Sequence, residues 1–267
     1  MLLSLLISSA ISASVEGVDF TPFIPTRPAA VTPPDSYRPG LSILRQAVVV
    51  RTADWKALQG ILQRYERSSP KNDIWRSVGE AIPVVVGRNG LGWGVGLHLI
   101  ADTEAHRDNG PGKREGDGRA PAGIFKLSSA FGYAPAKEAS GIRLPYMQAT
   151  PSLRCVDDTQ SPHYNRIVDS ALIKPDWKSA EEMLLPDDQY RLGIVVDHNA
   201  NPVIPERGSC IFIHIWKRAD KGTAGCTAMS PENMERLLRW LDPAANPVLI
   251  QLPEGTYRKL RTAWDLP

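Results

Sequence analysis

A histidine and a cysteine stand twelve residues apart in the run Ile211-Phe-Ile-His214-Ile-Trp216-Lys-Arg-Ala-Asp-Lys-Gly222-Thr223-Ala-Gly225-Cys226. A thiol beside an imidazole is the pairing that nucleophilic catalysis needs. The imidazole can take the thiol proton, and backbone N–H groups next to the cysteine can hold the oxyanion that forms when sulfur attacks a carbonyl. The competing reading is structural: a lone cysteine is commonly a small buried hydrophobe, and a strand histidine commonly completes one hydrogen bond. Spacing alone does not decide between them.

The local pattern says how the two would be positioned. Residues 211–216 alternate, with Ile211, Ile213 and Ile215 on one face and Phe212, His214 and Trp216 on the other, which reads as a strand. Its isoleucine face is expected to enter the core and leave the imidazole on the opposite surface. Gly222-Thr-Ala-Gly225 is a tight turn whose small residues let a ligand approach the backbone. After Cys226, Ser230-Pro231-Glu232 is a helix start, with a capping hydroxyl, proline at the first position and then an acid. Met234, Leu237, Leu238 and Leu241 are its buried stripe, and Asp242-Pro243 ends it. Val248–Leu252 reads as a closing strand.

Further upstream, Gln46–Val50 is a buried strand, and Thr52 is placed to cap a helix carrying Trp55, Leu58, Leu62 and Tyr65. Ile82–Arg88 and Leu91–Leu97 flank Asn89-Gly90 and read as a hairpin. Gly92, Gly94 and Gly96 share one face, which suits close packing. Other short strands are expected around 123–127, 192–196 and 209–216. The whole reads as mainly β with two or three helices.

The His214 and Thr223-Ala-Gly225-Cys226 elements resemble the signature of the L,D-transpeptidase catalytic domain (YkuD type). There a histidine precedes a serine or threonine, a variable residue, glycine and the nucleophilic cysteine. Lys113-Arg-Glu-Gly116-Asp-Gly118-Arg-Ala-Pro121-Ala-Gly123-Ile-Phe125 is similar to the strand-turn that opens that domain. Leu144-Pro-Tyr146, Cys155-Val-Asp-Asp158, Tyr164-Asn165 and Val196-Asp-His198-Asn199 add to the likeness, which spans about residues 80–252. It implies a β-sandwich-like catalytic domain that acts on peptidoglycan stem peptides. Cys226 would be the nucleophile and His214 the base. The Thr223 carbonyl would orient the imidazole, and N–H groups around Gly225 and Cys226 would form the oxyanion site. The sequence departs from the family pattern in three places. Thr227-Ala228 stands where an arginine or asparagine usually follows the cysteine, the loop from His214 to Thr223 is short, and Ile215 replaces a glycine. Lys217, Arg218 and Lys221 are therefore expected to supply the missing cation, with Lys221 favoured. His198 and Trp216 join them as candidate substrate contacts.

Composition narrows the alternatives. Basic and acidic residues nearly balance, at 31 against 29, and no basic stripe is interleaved with aromatics, so no nucleic-acid partner is expected. No paired zinc spacing exists among the histidines, and no metal or other cofactor is expected. Gly110-Pro-Gly112-Lys113 fails as a phosphate loop because Arg114 stands where a serine or threonine is needed. Glu115 and Asp117 could be a carboxylate pair for sugar hydrolysis, although the flanking glycines favour a solvated turn. Residues 1–14 read as a secretory signal ending in small residues, despite the absence of a basic start. Residues 15–40 are a proline-rich lead-in, and 41–267 a single catalytic domain with no permanent membrane span. Three cysteines leave an odd one in an oxidising compartment. A Cys155–Cys210 bridge would keep Cys226 free, and three unrelated reduced thiols remain the alternative. Within this reading, an L,D-carboxypeptidase or amidase using the same thioester and a non-catalytic wall-binding module are the rival functions.

Overall fold

A computed structural model describes residues 43–68, 74–98 and 110–267. The apolar start and the proline-rich lead-in lie outside the described residues. The strand β1 (Gln46–Thr52) sits at the centre and is buried on both faces, with Val48, Val49 and Val50 fully enclosed. It runs antiparallel to β2 (Gln59–Glu66) and parallel to β13 (Val248–Pro253). Fully burying a valine or leucine side chain is worth roughly 1.5–3 kcal/mol, so this uninterrupted apolar run is well placed to organise the sheet.

The pairing continues from β2 through β3 (Arg76–Val85), β12 (Thr227–Met229) and β11 (Phe212–Ile215) to β10 (Leu192–Val196). On the other side β13 pairs with β5 (Ala120–Gly132), and β5 also pairs with β10. That last ladder closes the order β10-β11-β12-β3-β2-β1-β13-β5 into a ring with a barrel-like core. Two short strands, β4 (Leu91–Trp93) and β6 (Tyr146–Gln148), attach to β5. A separate small sheet places β7 (Leu153–Val156) between β8 (Ile167–Asp169) and β9 (Ala180–Glu182).

The mainly β character, the strands at 46–50, 192–196 and 248–252, and the helix after Ser230 agree with the sequence. Helix α1 (Pro231–Trp240) is capped by Ser230, whose side chain accepts from the Asn233 N–H, and it buries Met234, Leu237 and Leu238. A second helix, α2 (Glu254–Leu260), packs Tyr257 and Leu260 inward. Among the described residues no helix is long and apolar enough to cross a membrane.

Two expectations fail. Residues 53–65 are not a helix: Thr52 Oγ1 donates to the Asp54 carbonyl, Asp54 Oδ1 accepts from the N–H groups of Lys56 and Ala57, and the chain then enters β2. Leu62 and Tyr65 face strand neighbours on β1 and β3, and the two ladders of β2 outweigh a helical spacing that only four residues support. Asn89-Gly90 does form a turn, with Gly90 at φ 78°. Its flanking strands nevertheless do not pair with each other. β3 pairs with β2 and β12, whereas β4 runs parallel to β5. Gly94 and Gly96 serve packing, as expected. A Cβ at Gly94 would stand 2.9 Å from the Phe125 ring, and one at Gly96 would stand 2.3 Å from the Ile124 carbonyl oxygen.

Candidate active site

Strands β11 and β12 are parallel neighbours, with Ile213 opposite Thr227 and His214 opposite Ala228. Cys226 immediately precedes β12, so the ladder sets it beside Phe212, whose N–H donates to the sulfur at 3.3 Å. The isoleucine face of β11 enters the barrel as expected. The opposite face is not open surface. Phe212 and His214 are buried as well, Phe212 in a second apolar cluster between the barrel and the small sheet and His214 against its member Tyr190. Phe212 packs edge-on against Phe131 at 5.0 Å between centroids, and Tyr190 packs against the His214 ring at 5.1 Å. Such pairs fix ring orientation as well as burying area.

Cys155 on β7 and Cys210 ahead of β11 form a disulfide with Cα atoms 5.9 Å apart, and Cys226 is the free cysteine. Cys210 lies at φ 54°, a left-handed conformation uncommon for a side-chain-bearing residue. The disulfide and a hydrogen bond from its N–H to Asn165 Oδ1 (2.9 Å) hold it there. Its carbonyl oxygen is the acceptor for the Cys226 thiol, at 3.6 Å.

Cys226 and His214 line one cavity of about 480 Å³ together with Thr223 and Gly225. His214 Nδ1 donates to the Ile215 carbonyl at 2.8 Å, which leaves Nε2 as the acceptor nitrogen. The orienting carbonyl is therefore that of Ile215 and not that of Thr223. The Thr223 carbonyl accepts instead from the Arg88 N–H across the bridge to Gly87. Thr223 shapes the turn: its hydroxyl donates to the Cys226 carbonyl at 2.6 Å and accepts from the Gly225 N–H at 3.1 Å. The Gly225 N–H is thus already engaged. Burial pushes the His214 imidazole down to about 4, against the Ile215 carbonyl, so it is neutral at ordinary pH. Burial, reinforced by the charge of Glu181, pushes the Cys226 thiol up to about 12, opposed by the Phe212 N–H, Lys113 and Tyr190.

The remaining predicted contacts lie elsewhere. Lys217, Arg218 and Lys221 are exposed and do not line the cavity, and Arg218 is paired with Asp220 at 2.6 Å. Trp216 is likewise outside it, with its N–H bonded to the Met229 carbonyl. His198 is a buried structural histidine. Nδ1 accepts from the Val95 N–H, Nε2 donates to the Arg207 carbonyl, and burial pushes it down to about 3. Removing all three loop cations by alanine substitution is expected to leave kcat/KM within about twofold, since solvated charges outside a site contribute little. A loss of tenfold or more would restore the loop as a substrate contact.

The cation in the cavity is Lys113, which is buried and not part of the basic loop. Its ammonium donates to Asp117 Oδ1 and the Arg114 carbonyl, each at 2.7 Å, and lies 4.0 Å from where a Cβ on Gly225 would stand. Three carboxylates, Glu115, Asp157 and Glu181, share the cavity. Glu115 is no solvated turn residue: Oε2 accepts from Ser209 Oγ at 2.8 Å and from the Tyr164 hydroxyl. Asp117 faces Lys113 and the backbone N–H groups of Arg114 and Arg119, so the two do not form a glycosidase pair. Among the described residues no group of histidine, cysteine and carboxylate side chains is arranged to hold a metal ion.

The model of the L,D-transpeptidase catalytic domain (YkuD) matches residues 55–250. The chain belongs to the L,D-transpeptidase catalytic-domain family. No curated protein gives a match. Within this family domain the sequence could indicate Cys226 and His214, which sit in one contiguous signature. It could not indicate Lys113, Glu181 or Tyr190, because three distant segments bring them in. The one local hint was Cys155, whose pairing with Cys210 draws the small sheet against the cavity.

Proposed function

We propose that this L,D-transpeptidase-family protein is an exported cysteine acyl-transferase that forms a thioester with peptidoglycan stem peptides and passes the acyl group to an amine. The observation that carries the reading is the shared cavity of Cys226 and His214, with the imidazole anchored through Nδ1 and its other nitrogen left to accept. In the first step the Cys226 sulfur bonds to the carbonyl carbon that precedes a terminal D-residue. The amide C–N bond breaks, and the sulfur's proton departs on that amine by way of His214, acting first as base and then as acid. With the Gly225 N–H engaged by Thr223, this reading assigns the oxyanion to the Cys226 N–H. Lys113 adds positive charge beside the sulfur. An acceptor amine then bonds to the thioester carbon, the C–S bond breaks, and the amine's proton returns to sulfur.

Export draws support from the apolar start of the chain and from the Cys155–Cys210 disulfide, a bond that persists in oxidising compartments. The test is mass spectrometry of the full chain incubated with tetrapeptide muropeptides. The expected result is an acyl adduct on Cys226, loss of the terminal D-residue and a cross-linked dimer. A trimmed monomer without dimer would make water the acceptor and replace transfer by hydrolysis. An adduct on any other residue would overturn the nucleophile.

A further inference from the structure

The cavity that holds Cys226 carries more negative charge than its own residues neutralise. Lys113 is the one cation among the described residues that line it, and Asp117 and the Arg114 carbonyl already engage its ammonium. Glu115 accepts from the hydroxyls of Tyr164 and Ser209 and from the Gly116 N–H. Glu181 accepts on Oε1 from the Tyr190 hydroxyl, which leaves Oε2 open. Asp157 is barer still: its Oδ1 is fully buried and meets no hydrogen-bond donor. None of the three carboxylates is joined to a lysine, arginine or histidine in an ion pair among the described residues. A buried carboxylate oxygen without a donor is costly, more so than a neutral group, because it is charged.

The small sheet sets this charge in place. Glu181 on β9 stands opposite Cys155 on β7, and residues opposite each other in an antiparallel ladder put their side chains on the same face. Asp157, two residues beyond Cys155, returns to that face. The Cys155–Cys210 disulfide fastens the face against the cavity, which both carboxylates line. We propose that Asp157 and Glu181 form a seat for a primary ammonium group of the peptide substrate. This rests on the reading of the cavity as the acyl-transfer site, and it makes the two residues determinants of substrate choice.

The chemistry of the seat selects its occupant. An ammonium brings three N–H donors and a compact positive charge, which answers the unpaired oxygens of Asp157 and Glu181 together. A metal ion fits less well, since among the described residues no group of histidine, cysteine and carboxylate side chains is arranged to hold one. The seat also bears on the nucleophile. Burial and then the charge of Glu181 raise the Cys226 thiol. An ammonium placed against Glu181 offsets that charge, so the substrate brings a counter-charge that favours the thiolate.

The test is a binding comparison in full-length Cys226→Ala, which needs no turnover. Calorimetry measures Kd for a tetrapeptide stem with a free side-chain amine and for the same peptide with that amine acetylated. The free amine is expected to bind at least about tenfold more tightly, the lower end of what charge-assisted hydrogen bonds supply. Adding Asp157→Asn, which keeps the side-chain shape, should bring the ratio of the two Kd values close to one, and Glu181→Gln should reduce it. If Glu181→Gln does not fold, Asp157→Asn decides. A ratio near one without these substitutions, no binding of either peptide, or a ratio that Asp157→Asn leaves unchanged overturns the seat. In the wild type, the same peptides used first as donors and then as acceptors show which substrate brings the ammonium: slower adduct formation on acetylation assigns it to the donor, and slower transfer from a preformed adduct assigns it to the acceptor. Acyl transfer retained by Cys226→Ala would sink the nucleophile instead, an outcome separate from the Kd ratio.

Discussion

Cys226→Ala is expected to abolish both the acyl adduct and all turnover, and His214→Ala to lower kcat by roughly 10²–10⁴-fold, with folding intact in each case. The first effect is total because no other free thiol is available: Cys155 and Cys210 are consumed in a disulfide. The second is partial because the backbone donors and Lys113 remain in place when the imidazole is lost. Steady-state kinetics on muropeptides, paired with circular dichroism, separates loss of chemistry from loss of structure. An alanine variant at Cys226 with a measurable wild-type rate would sink the assignment. The pH dependence has a defined sign. His214 accepts protons only when neutral, which burial secures above about pH 4. Any fall in activity between pH 8 and 6 must therefore come from other groups in the cavity: the Cys226 thiol, which burial pushes up to about 12 so that its ionised fraction falls with pH, and Glu181, pushed up to about 7.

The second large effect concerns stability. Cys155→Ser with Cys210→Ser should lower the unfolding free energy by roughly 2–5 kcal/mol, mainly by releasing a loop whose ends are 55 residues apart in sequence. Urea unfolding of the wild type and the double variant measures it. The same variant should lose activity beyond its loss of stability, because the disulfide holds both the Cys210 carbonyl that meets the thiol and the small sheet that carries Glu181. A change below about 1 kcal/mol with full activity would show that packing alone places the small sheet.

What could be read in advance follows the range over which each feature is determined. The strand that carries His214, α1 and the strands at 192–196 and 248–252 are set by local pattern, and each forms where the residues indicate. The stretch 53–65 misleads because Trp55, Leu58, Leu62 and Tyr65 fit a helical face equally well. Trp55 in fact packs at a tilt against Trp93 before β2 begins, and only the distant partners β1 and β3 decide the conformation. The Asn89-Gly90 turn was legible because it needs only two residues, but the partners of its flanking strands were not. In the site the same division holds. The basic loop looked right because it is close in sequence to both catalytic candidates. The cation that reaches the cavity is Lys113, more than a hundred residues upstream and carried in by the turn ahead of β5.

The parallel pairing of β11 with β12 has a consequence for how the protein could be altered. His214 is fixed within β11 and Cys226 by its place at the head of β12, and Gly222 and Thr223 are fastened to the segment around Val86 and Arg88. The solvent-facing stretch Lys217–Lys221 therefore bridges two anchored ends, and one exposed hydrogen bond, from the Gln59 side chain to the Ala219 carbonyl, ties it to the sheet. Doubling the length of such a connection costs only about 0.6 kcal/mol of closure entropy. That stretch is an exchangeable cassette: foreign sequence grafted there could carry new recognition surfaces to the rim while the spacing of thiol and imidazole stays as the barrel dictates.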